Sequence, residues 1–512
     1  MPSTSNLSTG DLDSVFTPPS HEQWLEAALA GLSADDSLEA MQHRTLDDLV
    51  IQALYDDCPA VTGESVMPAD RPDTGSGTTS PACPWDNRLC IEDTTDEAVA
   101  NACLHRALLG GNTSVELHLD ETADIGRLLT GFRFDLAPVS FRASADYPGV
   151  TRNFLRYVND ESIDINELRC SFNADPIGQW LRTGVEPESS QAALQALASF
   201  SVETRRQLPE AVTALVDTTI HHNAGASATQ ELQAAVATGT LYLTHLMDAG
   251  MTLPEASQCI DFQVACDADL LMGVVKLRSL RILWQHVLHL HLSAPTGVTD
   301  PATTPGGMRI VVESSRRYLS QLDPWNNHLR NIIACSAAAM GSADAIIMHP
   351  HDRIGRWQAT DDPDIGVRMA RNLPIILERE SGLTLVDDPF SGSYALETLT
   401  AELTRRVWSE LSAMGELNDW LDTIASGRWQ SAVADTHARR LALVNDEQQV
   451  IVGVNRYQNT AAGTARHPAQ PAPVVTTSSP WIVDPNSKAV LQPVRDSESF
   501  EQRSSATQGA TP

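Results

Sequence analysis

The stretch 214–250, ALVDTTIHHNAGASATQELQAAVATGTLYLTHLMDAG, decides how the rest of the chain is read. Ala214–Asp217 is a short apolar run that ends on a carboxylate, as a buried strand would. A polar loop follows, and then a helix announces itself. Ser227 is a good N-cap, and Gln230 three residues later completes a capping box. Leu232, Val236, Leu243 and Leu246 keep helical spacing, and Gly250 suits the C-terminal stop. The segment therefore predicts strand, loop and helix in that order.

The same alternation extends in both directions. Val115, Leu117 and Leu119 alternate with Glu116 and His118 at the period of a strand. Further strand candidates are Phe132–Leu136 (or Val139–Arg142), Leu168–Phe172, Ile260–Ala265, Met308–Glu313, Ala345–Met348 and Leu383–Val386. A plausible helix follows each. One carries Leu270, Val274, Leu277, Trp284 and Val287 on a single stripe. Another covers Pro324–Met340, and a third, around 365–381, contains Pro374. Eight β-then-α units predict an α/β fold of the (β/α)8 TIM-barrel type over residues 84–457. An open doubly wound sheet is the competitor, weakened because no G-x-G-x-x-G and no Walker A loop is present.

Outside that block the composition changes. Residues 1–19 are rich in Ser, Thr, Asp and Pro and read as disordered. Residues 20–58 read as an N-terminal arm, with an amphipathic helix near His21–Leu32 followed by RTLDDLVIQALY at 44–55. Residues 59–83 are a linker full of Pro, Gly, Ser and Thr. Residues 458–512 carry one short apolar cluster, Trp481-Ile482-Val483, and read as a flexible tail.

Composition excludes whole classes of partner. Over 512 residues, 35 basic side chains stand against 66 acidic ones, a formal net charge of −31. Binding to a nucleic-acid backbone needs Lys and Arg to displace counterions, so nucleic acid is not an expected partner. An anionic membrane face is excluded by the same sign. The longest apolar stretch, Ile332–Met340, is too short to span a bilayer. No signal peptide is visible, and the expected location is the cytoplasm. The eight cysteines contain no Cys-x-x-Cys, so reduced thiols are expected and no zinc ribbon is signalled.

In a barrel of this kind, chemistry collects at the C-terminal ends of the strands. Those ends carry Asn173-Ala174-Asp175, His221-His222-Asn223, Glu313-Ser314-Ser315, His349-Pro350-His351-Asp352 and Asp387-Asp388. His221, His222, Asn223, His349, His351, Asp352 and Asp388 are thus the barrel-mouth candidates. One reading is a metal-dependent barrel hydrolase, since neutral imidazoles and a carboxylate suit Zn²⁺. The other is that these side chains bond loop backbone or cap the following helices, with no metal bound. Asp435-Thr436-His437 partly matches the Asp-x-His-x-x-Gly motif of cobalamin proteins, but Arg440 stands at the Gly position.

Several segments resemble the methylmalonyl-CoA mutase family. They are 217–246, Ile260–Trp284 with its KLR-x-x-R-x-LW core, Asn327–Asp352, and Arg368–Glu397 with ARN, E-x-SG and DP-x-x-GSY elements. Residues 44–55 and Ile451–Tyr457 (IVGVNRY) also look like family elements. The resemblance covers about 20–457 and is ordered along the chain. It implies the barrel fold, acyl-CoA mutase chemistry and adenosylcobalamin as cofactor.

The family has catalytic chains, which pair a barrel with a cobalamin domain, and a homologous small (beta) subunit that forms a heterodimer with the large (alpha) one. This sequence is similar to the second kind. Where catalytic chains carry R-G-x-Y…M-Y…R-P-W-T-I-R-Q, it reads ACPWDNRLC, keeping Pro84, Trp85 and Arg88 but no substrate-facing Tyr. Where they carry a substrate-contacting Arg in R-N-T-Y-I-Y-P, it reads SFNADPIGQW. At the spacing of the catalytic His stands Ile220, and HPHDRIG replaces N-S-Y-D-E. The resemblance therefore implies a chain with no catalytic and no cofactor-binding residues of its own. Adenosylcobalamin and acyl-CoA would bind the large subunit, and no cobalamin domain is expected here. A catalytic barrel that uses a separate cobalamin-binding subunit is the alternative.

Overall fold

A computed structural model describes residues 19–32, 37–56, 85–119, 123–143, 146–187, 189–292, 307–354, 364–386, 388–416, 418–458 and 490–509. The expected linker at 59–83 and most of the expected tail lie outside these residues, as does Asp387.

Eight parallel strands close into a barrel. They are β1 (Asp86–Ile91), β2 (Ser114–Leu119), β3 (Val139–Ala143), β4 (Cys170–Ala174), β5 (Val212–Asp217), β6 (Ile260–Cys266), β7 (Arg309–Ser314) and β8 (Ala345–Ile347). Each pairs with its neighbour in sequence, and β8 closes on β1 through Ala345 opposite Asp86 and Ile346 opposite Asn87. The (β/α)8 expectation holds.

Alternation along each strand sends one set of side chains outward and the other into the lumen. The outward set is mostly apolar. Val115, Leu117 and Leu119 of β2, Phe141 of β3, Phe172 of β4 and Phe262 of β6 are buried in the core between barrel and helices. The helix Ala228–Asp248 packs there, with the predicted Ser227–Gln230 capping box. Gly239 in its middle permits the approach: a methyl group there would lie 2.8 Å from Phe262 and 3.0 Å from Trp284. The helices Leu270–Leu292 and Pro324–Met340 form as expected, and Ile365–Arg379 runs through Pro374.

Two strand expectations are corrected. Leu383–Leu385 is a 3₁₀ turn following the left-handed Gly382, with Leu385 and Val386 exposed. The seat it was assigned belongs to β1, whose Asp86, Asn87 and Arg88 look too polar for a barrel strand. The lumen is itself polar, so Asp86 and Arg88 are in place there, while Asn87 faces outward and donates to the Arg371 carbonyl of the helix Ile365–Arg379 at 2.9 Å. Phe132–Leu136 is turn, and the other option, Val139–Ala143, is the strand.

The N-terminal arm consists of the helix His21–Gly31, a 3₁₀ turn, and a small hairpin pairing His43–Arg44 with Val50–Ile51. The hairpin loop reaches the body, where Thr229 N–H donates to Asp47 Oδ2 at 3.3 Å. The flexible-tail expectation fails for its last part. Residues 490–497 run across the C-terminal mouth of the barrel and lead into the helix Glu498–Gly509. Leu491, Val494 and Asp496 donate their N–H groups to the carbonyls of Leu181, Asn223 and Arg317 at 2.9, 2.8 and 3.0 Å. Val490 and Leu491 are buried, which supplies the apolar anchor that composition averaged over the whole tail conceals. Among the described residues, no helix is long and apolar enough to cross a membrane.

Candidate functional site

Seven strands of the barrel, and the residues just beyond β8, contribute to one polar network in the lumen. Glu116 of β2 accepts from His118 Nε2 through Oε1 (3.1 Å) and from Asn173 of β4 through Oε2 (3.3 Å). Arg142 of β3 lies 3.3 Å from Glu116, donates to Asp217 of β5 (2.7 Å) and donates to Gln263 of β6 (2.5 Å). Gln263 passes the chain on to Glu313 of β7 (2.6 Å). Glu313 meets His349, just beyond β8, at 2.6 Å and Arg316 at 2.8 Å. Arg316 and Arg353 both bond Glu92, which follows β1, and Arg182 bonds Asp217 at 2.6 Å. Cys90 of β1 touches His118 Nε2 at 3.4 Å. Beneath lies a small apolar plug of Val311, Ala345 and Ile347.

The charges balance within the ring. Glu92, Glu116, Asp217 and Glu313 face Arg142, Arg182, Arg316 and Arg353, four against four. Burial alone would raise the carboxylates, but the guanidinium groups overcome it. Arg142, then His118, hold Glu116 down to about 2. Arg316 keeps both Glu92 and Glu313 well below the ordinary range, and Arg142, then Arg182, lower Asp217. Burial, then Arg316 and Arg353, pull His349 down to about 4, so it is neutral at pH 7. The opening beside Arg142, Asn173, Asp175 and Arg182 has a volume of about 20 Å³, room for one water. A larger cavity of about 790 Å³ lies between the hairpin, the helix starts at Ser227 and Leu270, and residues 448–452, and reaches His222, Asp267 and Arg317 at the barrel mouth.

Of the seven candidates read from sequence, His349 alone joins this ring. His222 and Asn223 sit beside it: His222 Nε2 meets Ser315 Oγ at 2.8 Å, and Asn223 Oδ1 accepts from Arg316 N–H. His222 also meets Glu231, which Lys276 holds at 2.6 Å. His221 points away from the lumen, accepting from Trp429 Nε1 at 2.9 Å and packing against the Trp420–Trp429 pair. Burial lowers both imidazoles to about 4, aided at His222 by Arg317. His351 stacks on Trp325 with ring centroids 5.0 Å apart. Asp352 abuts Gly366 in the first turn of the helix Ile365–Arg379. Asp388 pairs with Arg278 on the helix Leu270–Leu292, outside the barrel, because residues 383–385 form no strand to carry it to the mouth. The four histidines therefore do not converge on one metal.

Comparison with known proteins fits this geometry. The profile of the family described as Methylmalonyl-CoA mutase matches residues 109–478. The chain belongs to the methylmalonyl-CoA mutase family. It is 31% identical to the methylmalonyl-CoA mutase small subunit of Streptomyces virginiae, over 90% of this chain and 74% of that one. It is 32% identical to the probable methylmalonyl-CoA mutase small subunit of Mycobacterium tuberculosis, over 71% of this chain and 57% of the relative's length. The methylmalonyl-CoA mutase of Cereibacter sphaeroides is 25% identical over 69% of this chain and 48% of its own.

Family membership raises the question of cobalamin, and Asp435-Thr436-His437 does not fit it. These residues lie inside the continuous helix Arg428–Asn445, with the Thr436 hydroxyl donating back to Ala432. His437 is wedged against the loop after β5: a methyl on Gly225 would sit 2.4 Å from its Cβ. No loop-borne imidazole is presented here to serve as a lower axial ligand.

The lumen ring is what sequence reading missed. Its signal was the alternation of Glu116 and His118 against Val115, Leu117 and Leu119, which marks two faces without saying which one meets the helices.

Proposed function

We propose that this chain is the small (beta) subunit of a heterodimeric, adenosylcobalamin-dependent methylmalonyl-CoA mutase of the cytoplasm. It supports the interconversion of (R)-methylmalonyl-CoA and succinyl-CoA, performed by the large (alpha) subunit, and is not itself catalytic. The observation that carries this reading is the self-paired ring of four carboxylates and four guanidinium groups. An acyl-CoA mutase must clamp a carboxylate and a thioester while water is excluded, and that takes cationic donors turned toward the substrate and space for it. Here the four guanidiniums are engaged with the protein's own carboxylates, and the opening beside Arg142 and Arg182 admits one water.

The test is to purify the tagged chain from its own host under native conditions. An equimolar complex with a larger, cobalamin-bearing mutase chain, with turnover confined to that complex, is the expected result. Turnover by this chain with only a separate cobalamin-binding protein would replace this reading with that of a catalytic barrel.

A further inference from the structure

Within the lumen, three side chains of different chemistry converge. Cys90 Sγ, Glu116 Oε1 and His118 Nε2 lie within 4.8 Å of one another. The separations are 3.4 Å from sulfur to nitrogen, 3.1 Å from nitrogen to oxygen and 3.9 Å from sulfur to oxygen. A tetrahedral cation with bonds of about 2.3 Å to S, about 2.0 Å to N and about 2.0 Å to O has edges of roughly 3.3–3.6 Å. Each separation matches to within a few tenths of an ångström. The three come from adjacent strands: Cys90 is registered directly opposite Glu116, and His118 follows at i+2 on the same face.

The surroundings favour a cation at this point. Oε1 of Glu116 is 3.3 Å from Arg142 Nε, yet that N–H has no hydrogen-bond partner among the described residues, so the oxygen keeps lone-pair capacity. Its other oxygen is held by Asn173, which fixes the carboxylate plane as outer-shell partners of metal ligands do. Arg142 has Asp217 and Gln263 to retain it if Glu116 turns to a metal.

We propose that Cys90, Glu116 and His118 form a binding site for a borderline-soft divalent cation of the Zn²⁺ type, a staple between β1 and β2. Thiolate, imidazole and carboxylate together select such an ion over Mg²⁺ or Ca²⁺. On binding, the Cys90 S–H gives its proton to bulk water, the His118 ring proton passes from Nε2 to Nδ1 so that Nε2 can ligate, the sulfur becomes a thiolate ligand, and water takes the fourth position. The dication then cancels the charges of the thiolate and Glu116. Cysteine spacing could not reveal this site, because it holds one cysteine and its partners lie 26 and 28 residues away.

The test uses the full chain, stripped with chelator and then dialysed against Zn²⁺ or Co²⁺ alone. About one Zn²⁺ per chain is expected, and the Co²⁺ form should show a thiolate-to-cobalt charge-transfer band. Cys90→Ser should abolish that band and weaken Zn²⁺ binding, and His118→Ala should do the same. Asn173→Ala should weaken binding by about 10–100-fold while leaving the band. Sub-stoichiometric zinc in the folded wild-type chain overturns the proposal, and so does zinc retained undiminished by both Cys90→Ser and His118→Ala.

Discussion

Arg142→Met removes the guanidinium that ties three strands together across the lumen. Arg142 is 13% exposed at its side chain, while Glu116 and Asp217 are 2% and 1% exposed. Removing one member of a buried pair typically costs about 3–5 kcal/mol, because the remaining charge is left uncompensated. Two features put this case near the lower end. Asp217 keeps Arg182 and the Thr219 hydroxyl, and Glu116 keeps His118 and Asn173. A second figure comes from the Glu116 carboxyl. It is held at about 2 against an ordinary 4.5, so its ionised form contributes roughly 3 kcal/mol of stability at neutral pH. That contribution is fully present above pH 4.5 and is lost as pH falls toward 2. Arg142 is the foremost lowering influence on it. The variant should therefore unfold with a deficit of about 3 kcal/mol at pH 7, and the deficit should shrink as pH falls below about 4.5. Denaturant unfolding of the full chain at a series of pH values measures both. A deficit under about 0.5 kcal/mol at pH 7, or one independent of pH, would refute the reasoning.

The wild-type chain should lose stability between pH 6.5 and 4. His221, His222 and His349 are each held at about 4, so in this window the unfolded chain binds protons that the folded chain refuses. Asp175, raised by burial to about 6, opposes them with one proton, and the imidazoles outnumber it; a flat profile over this range would contradict the burial of these imidazoles. Gly239→Ala should destabilise by about 1–3 kcal/mol through contact with Phe262 and Trp284, despite alanine's better helix propensity, and thermal unfolding would expose a neutral result as wrong. Val494→Pro removes the N–H that bonds Asn223, so hydrogen exchange at Leu491 and Asp496 should accelerate while the barrel strands stay protected. Unchanged protection at those two amides would mean that the segment is not held as described.

The fold was legible wherever an element's own pattern agreed with its final place. The Ser227–Gln230 box, the Leu232–Leu246 stripe and the strand pattern at 115–119 fall in this class. Reading failed where a local pattern depended on distant partners. β1 begins Asp-Asn-Arg because Asp86 and Arg88 face a polar lumen and Asn87 bonds a helix carbonyl outside it, and nothing within those residues says so. Leu383–Val386 has strand composition but no open seat, since β8 already pairs with β1. The candidate site was harder. Strand ends single out His221 and His351, yet a strand end says nothing about the direction of the next few residues. His221 turned toward Trp429 and His351 toward Trp325, while Glu116 and Arg142, lying within strands, met across the lumen. The docked segment at 490–497 was hidden because its anchor is two residues, Val490 and Leu491, in a stretch of polar composition.

The central claim is that this chain supports a mutase without carrying its active site, and cofactor stoichiometry tests it most directly. The complex with the large subunit, saturated with adenosylcobalamin and freed of excess, should hold one cofactor per heterodimer. The isolated chain should hold none and should turn over no methylmalonyl-CoA. Two cofactors per heterodimer, or turnover by a complex whose large subunit has been inactivated, would contradict the account.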